Sequence, residues 1–297
     1  MTSVRERIKG SIPALITPIR EGKVDERAFR RLVSWQIEQG SQGLVPCGTT
    51  GESPTLSHEE QIRVIEICVE EAAGRVPVIA GAGSNSTEEA IALHRGAKEV
   101  GADAVLSVTG YYNKPSQEGQ YRHFKALAEA VDIPILLYNI PGRAIVEIGV
   151  ETMARLSQIP GIIGVKDATA NLMRPTRERN ACRRDWRFLS GEDGTALGYM
   201  AHGGHGCISV TANVAPRLSA EFQDACLGGK FDRARELHDK LMPLHDAMFC
   251  EPSPAPVKYG VSLRGYCTAE VRLPLVELSE AGRVCVREAM RIVGLKV

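Results

Sequence analysis

The chain offers chemistry first at Lys166, a charged residue that terminates the apolar run Gly161-Ile162-Ile163-Gly164-Val165. An amine held inside an apolar mouth is desolvated, which disfavours its ammonium form. A neutral amine attacks a ketone to give a carbinolamine and then an imine. The competing reading is a structural lysine ion-paired with neighbouring Asp167. Tyr138 ends the preceding apolar run, where a phenol can donate and accept the proton that carbinolamine dehydration moves. The alternative for it is a rim tyrosine with a wet hydroxyl. Thr49 and Thr50 lie in Gly48-Thr49-Thr50-Gly51. Their hydroxyls can relay protons and the turn's N–H groups can bind a carboxylate, while ordinary turn chemistry explains the same residues equally well. Arg143, after Pro141-Gly142, has a planar fork suited to a substrate carboxylate; a surface arginine is the default.

These residues need elements to bring them together. Apolar runs recur at 12–17, 43–46, 76–80, 104–108, 133–138, 162–166, 188–190 and 206–210. Most are apolar on both faces, as strands of a covered parallel sheet are. Segments of helical period separate them, such as 26–39, 57–73 and 86–100. Ser57 with Glu60 spells a capping box, and Ser86 with Glu89 repeats the spacing. Eight strand–helix units of roughly 25 residues predict a (β/α)8 TIM barrel. A doubly wound open sheet is the alternative, disfavoured because Gly81-Ala82-Gly83 lacks the continuation of a dinucleotide loop and no phosphate-binding G-x-x-x-x-G-K-[ST] occurs. After about residue 226 strand signals stop, and 230–244, 256–263 and 279–293 read as helices. The expected organisation is a catalytic barrel over 1–225 and a C-terminal helical extension over 226–297, packed on it. In such a barrel, active sites form at the C-terminal ends of the strands, where Thr49, Thr50, Tyr138, Arg143 and Lys166 all fall.

Composition narrows the function. The 297 residues are 43% hydrophobic and 24% charged with a formal net charge of zero, which argues against a nucleic-acid binder. No apolar run of about 18 residues predicts a membrane span, and the charged N-terminus has no signal-peptide core. The eight cysteines are spread singly and read as reduced, small hydrophobes in a cytoplasmic protein. His202 and His205 form an H-x-x-H without a third partner, so no metal site is expected. His238 and His245 lie seven apart on an expected helix and are read as facing solvent or a partner.

Five segments carry a family resemblance: Gly48-Thr49-Thr50-Gly51-Glu52-Ser53, Tyr111-Tyr112-Asn113-Lys114-Pro115, Leu137-Tyr138-Asn139-Ile140-Pro141-Gly142-Arg143, Gly164-Val165-Lys166-Asp167-Ala168-Thr169, and 203–213 with Gly206-Cys207-Ile208-Ser209. In this order they resemble the dihydrodipicolinate synthase/N-acetylneuraminate lyase family of pyruvate-dependent aldolases. The double tyrosine, Pro141-Gly142-Arg143 and the tail Glu251-Pro252-Ser253-Pro254-Ala255-Pro256-Val257-Lys258 are similar to its synthase branch, which condenses pyruvate with L-aspartate 4-semialdehyde to 4-hydroxy-tetrahydrodipicolinate in lysine biosynthesis.

The resemblance implies an imine between pyruvate and Lys166, with Tyr138 as proton donor and acceptor. It implies a relay of Thr50, Tyr138 and Tyr112, with Thr49 beside it and Tyr112 arriving from a neighbouring subunit of a tight dimer, paired into a tetramer. Arg143 would hold the aldehyde's carboxylate; Thr50, Gly191 and Ile208 would line the pyruvate. No cofactor is implied beyond the covalent imine. A feedback site for L-lysine is implied at Pro54, His58, Asn85, Glu89 and Tyr111, where Gln61 replaces a frequent histidine. Ser253 replaces an asparagine common in the tail. The neighbouring reading is an aldolase of the same fold acting on N-acetylneuraminate or a 2-keto-3-deoxy sugar acid. A non-catalytic pyruvate- or lysine-sensing barrel is a third.

Overall fold

The computed structural model describes residues 3–297. Seven strands form one parallel sheet in the order Gly10–Pro13, Gly206–Ser209, Arg187–Ser190, Ile162–Asp167, Ile135–Asn139, Ala104–Val108, Ile79–Gly81. The ring closes through residues 44–45. Ala14 bridges Val45 and Leu44 bridges Val78, with Leu15 N–H donating to Val45 O at 2.9 Å and Ile79 N–H to Leu44 O at 2.8 Å. The expected (β/α)8 barrel is therefore present, with its second strand reduced to two bridges. Pro46 has no N–H to continue that ladder, and the chain turns immediately afterwards at Cys47, φ 55°.

Two cores explain why the runs are apolar on both faces. Ile12, Val45, Ile79, Leu106, Leu136 and Ile208 fill the barrel interior. Phe29, Ile65, Phe124, Leu137, Val165 and Phe188 belong to the layer between sheet and helices. Packing on both sides forces this pattern, because a polar side chain on either face would lose its water. A short ribbon, Ile19–Arg20 with Lys23–Val24, precedes the first long helix and was not expected.

Helix starts follow local chemistry. Ser57 and Glu60 form the full capping box of His58–Ala72. Ser86 caps Thr87–Glu99, but the Glu89 carboxylate turns away from the box to Ser84 Oγ and His58. A tertiary partner there outcompetes the local one.

After the helix Pro216–Leu227, the helices Phe231–Ala247, Ala255–Leu263 and Glu280–Ile292 pack on one another. His238 and His245 correct the sequence reading: they are only 8% and 6% exposed. They share a stripe with Leu237, Leu241 and Leu244, and His245 Nδ1 lies 2.8 Å from Thr211 Oγ1. Their spacing of seven was the periodicity of a buried face. No helix among the described residues is long and apolar enough to cross a membrane.

Behind the sheet, Arg174 is buried against Glu178 at 2.5 Å and donates to Ile148 O at 2.7 Å. Burial pushes the Glu178 carboxyl up from 4.5 to about 7, against the pull of Arg174 and with the charge of Asp167 adding to the rise. The folded state thus holds this proton more tightly than the unfolded chain. That contribution is complete below the unfolded value and is lost as pH rises through about 7. Urea unfolding should accordingly show the stability of the wild type relative to Glu178→Gln falling between about pH 4.5 and about pH 7. Identical slopes for the two proteins would show that Glu178 is not the group responsible.

Candidate active site

The position of Lys166 is decided by a register shift. Ile135 pairs with Ile162, but Leu136 pairs with Gly164, so Ile163 is an extra residue in its strand. Ile163 packs in the barrel interior and Val165 in the outer layer. Strict alternation starting from Ile163 would send Lys166 outward; the extra residue reverses the phase and sends it in. Gly164 permits this, because a Cβ there would lie 2.6 Å from Arg187 Cβ and 2.9 Å from Leu136 Cδ2.

Downstream of the shift Tyr138 pairs with Lys166 across the ladder. Both side chains enter the barrel mouth, with Lys166 Nζ 4.1 Å from the centre of the Tyr138 ring. Lys166 is 5% exposed and Tyr138 7%. Asp167 does not pair with Lys166. Its carboxylate accepts from Thr169 N–H at 2.8 Å and lies 3.5 Å from Arg174 Nε. Among the described residues no carboxylate stands within ion-pair distance of Lys166. Glu192 is near enough to feel it: burial pushes the Glu192 carboxyl up, against the Gly194 N–H and the Lys166 charge.

Gly191 follows the next strand. A Cβ at Gly191 would meet Ala168 Cβ and Lys166 Cε at 2.9 Å and Lys166 Cγ at 3.0 Å, so the glycine leaves room for the lysine stem and for the strand end that carries it. Ile208 is buried in the interior beyond it. Thr50 is buried and Thr49 half-buried in a tight turn closed by Gly51 N–H to Gly48 O at 3.0 Å and Glu52 N–H to Thr49 O at 3.1 Å. Gly81 belongs to this loop's support, since a Cβ would run into the Cys47 carbonyl.

A cavity of about 420 Å³ opens on the Tyr138 side of the mouth, and Lys166, Thr50, Gly191 and Ile208 do not line it. Thr49, Tyr138 and exposed Arg143 line it together with Pro54, His58, Gln61, Glu89 and Tyr111. His58 Nε2 lies 2.9 Å from a Glu89 oxygen. Asn85 joins this group through its side-chain N–H to Tyr111 O at 3.2 Å. Gln61 is turned inward and donates to Gly81 O at 2.8 Å. Tyr112 is the exception: it is 89% exposed, and its own chain does not bring it to Lys166. Ser253 is buried at the start of the tail helix. His202 and His205 go to separate partners, Thr176 and the Phe188 N–H.

Several residues that hold the mouth were not singled out from sequence. Asp193 accepts from Val210 and Thr211 N–H at 2.9 and 3.1 Å. Asn213 donates to Ala14 O at 2.7 Å and accepts from Ile16 N–H at 3.0 Å, tying the last strand to the first. Their one signal was a polar residue just past a strand end. Glu52 and Lys258 form an ion pair in which both side chains are excluded from solvent.

The model of the Dihydrodipicolinate synthetase family matches residues 7–293. The chain belongs to that family. A 4-hydroxy-tetrahydrodipicolinate synthase of Parvibaculum lavamentivorans is 64% identical over 97% of this chain and 99% of its own. The crystal structure of dihydrodipicolinate synthase from Aquifex aeolicus superposes with a TM-score of 0.96 at 46% identity, covering 98% of this chain and 99% of that one. A Cyanidioschyzon merolae enzyme solved with lysine bound is similar with a TM-score of 0.94 at 36% identity, covering 97% and 99%.

Within this family member, two glycines support Lys166 in different ways, and alanine should separate them. If Lys166 forms the expected imine, Gly191→Ala should slow capture of a 2-keto acid, read by borohydride reduction, by roughly tenfold or more. Its loss of stability should be smaller than that of Gly164→Ala, because its nearest contacts, Ala168 Cβ and Lys166 Cε, lie at 2.9 Å against 2.4 Å for Arg187 O at Gly164. Gly164→Ala should cost stability as well, by about 1–3 kcal/mol from overpacking. Unchanged capture in Gly191→Ala would show that the lysine stem tolerates the added methyl.

Proposed function

We propose that this chain condenses pyruvate with L-aspartate 4-semialdehyde to 4-hydroxy-tetrahydrodipicolinate through an imine on Lys166. The observation that carries the reading is a buried lysine beside a tyrosine in the barrel mouth, with no carboxylate neutralising it among the described residues. The choice of aldehyde is supported by the relative's stated activity and by Arg143 lining the cavity that Tyr138 and Thr49 also line.

The Lys166 amine adds to C2 of pyruvate, the carbonyl oxygen takes a proton, and water leaves to give the iminium. Tyr138 handles these protons, with Thr50 and Tyr112 carrying them onward and Thr49 adjoining. The iminium draws electrons from C3, which loses a proton and attacks the aldehyde carbon. The product's amine then attacks C2, expels Lys166 and closes the ring. Arg143 fixes the semialdehyde's carboxylate, while Thr50, Gly191 and Ile208 enclose the pyruvate. The lysine itself is the electron sink, so no added cofactor takes part. The exposure of Tyr112 supports its contribution across a dimer interface to a second copy's relay, in a dimer or a pair of dimers. In this reading residues 1–225 carry the chemistry, 226–297 brace it, and the enzyme works in the cytoplasm.

Borohydride reduction with pyruvate should add the reduced three-carbon unit to Lys166, seen by mass spectrometry, and Lys166→Ala should show none. Arg143→Ala should raise KM for the semialdehyde by about 10- to 100-fold, the worth of a charge-assisted hydrogen bond, with pyruvate trapping retained. Turnover of N-acetylneuraminate or a 2-keto-3-deoxy acid, with no product from the semialdehyde, would move the chain to the sugar-acid branch.

The cluster of Pro54, His58, Asn85, Glu89 and Tyr111 is proposed as an L-lysine feedback site. Glu89 is the partner for the ligand's ammonium and now engages His58 and Ser84. Glu89→Gln should raise the lysine concentration for half-inhibition by about tenfold or more. Equal inhibition of both proteins would remove Glu89 from the site.

A further inference from the structure

The buried pair of Glu52 and Lys258 lies outside the chemistry just described, yet it grips the loop that supplies Thr49 and Thr50. Lys258 is on the helix Ala255–Leu263 and its side chain is wholly buried. Besides Glu52 it donates to Glu270 O at 2.7 Å. The second Glu52 oxygen accepts from Arg272 N–H at 2.9 Å. Arg272 in turn donates to Thr55 O at 2.8 Å, and Thr17 Oγ1 donates to Gly51 O at 2.7 Å. Residues 49–55 are thereby tied to the C-terminal region and to the first strand's end. Glu52 itself sits at φ 57°, a conformation that costs a non-glycine residue energy and persists where its surroundings over-determine it.

Stability alone does not account for such a pair. Taking two charges out of water offsets much of their attraction, and well-packed apolar replacements are often as stable. What an ion pair adds is direction: one carboxylate geometry satisfies both the ammonium and the Arg272 N–H. We infer that Glu52 and Lys258 are positioning residues that fix the Thr49–Thr50 turn, and hence the pyruvate carboxylate, against Lys166. The inference rests on the imine reading above. It gives the tail motif, ending in Lys258, a task in the barrel mouth.

The test separates position from stability. Glu52→Gln and Lys258→Met each leave a buried partner uncompensated and should lower Tm. The double variant removes both charges and should recover much of that Tm. Its kcat/KM for pyruvate should nonetheless stay on the order of 10- to 100-fold below wild type, the effect of a displacement near 1 Å. The loss should lie mainly in the pyruvate KM, with the semialdehyde KM little changed. Glu52→Asp gives a second reading that keeps the charge: it should raise the pyruvate KM while melting close to wild type. Activity that returns with Tm in the double variant, or a pyruvate KM unmoved in Glu52→Asp, overturns the positioning role. A wild-type protein that traps no pyruvate on Lys166 instead sinks the imine reading, and the inference with it.

Discussion

The extra residue at Ile163, set between the pairings Ile135–Ile162 and Leu136–Gly164, determines which way Lys166 faces. A strand's side chains alternate, so a shift of one residue exchanges the two faces. Here that exchange puts a primary amine inside the barrel beside Tyr138 rather than among helices. Gly164 holds the shift open, and Gly191 leaves the space into which the lysine stem extends. Two positions without side chains thus define the path of the one side chain on which the proposed reaction depends.

The rest of the mouth is organised by polar side chains that hold loops to strands. Asp193, Asn213 and Glu52 each accept backbone N–H groups from segments distant in sequence. Loop N–H groups beside a packed barrel need such partners, since burial without them is costly. The same bonds stiffen the loop that presents Thr49 and Thr50 and the segment that follows Ile208 at its strand end. Reactive groups placed on strand ends and braced loops keep the small tolerances that proton transfer needs.

Much of the fold was legible because strands covered on both faces read as short apolar runs, and Lys166 interrupts one of them. The capping box at Ser57 was legible because all of its partners are local. Glu89 was misread because its partners are Ser84 and His58, the latter on another helix. His238 and His245 were assigned to a surface because polarity was weighed above spacing. Their positions among Leu237, Leu241 and Leu244 held the better signal. The ribbon Ile19–Arg20 with Lys23–Val24 is too short to show a period.

By itself, the order of residues determined the alternation of strands and helices, the clustering of candidate groups at strand ends, and the family. Those properties are carried by local periodicity and contiguous motifs. The tertiary structure decided the direction of Lys166, the freeing of its amine from Asp167, the exposure of Tyr112 and the burial of Glu52 with Lys258. Each of these depends on a register or a partner far along the chain. Hydrogen bonding between strands and the exclusion of water set them, and neither leaves a mark on neighbouring residues in the sequence.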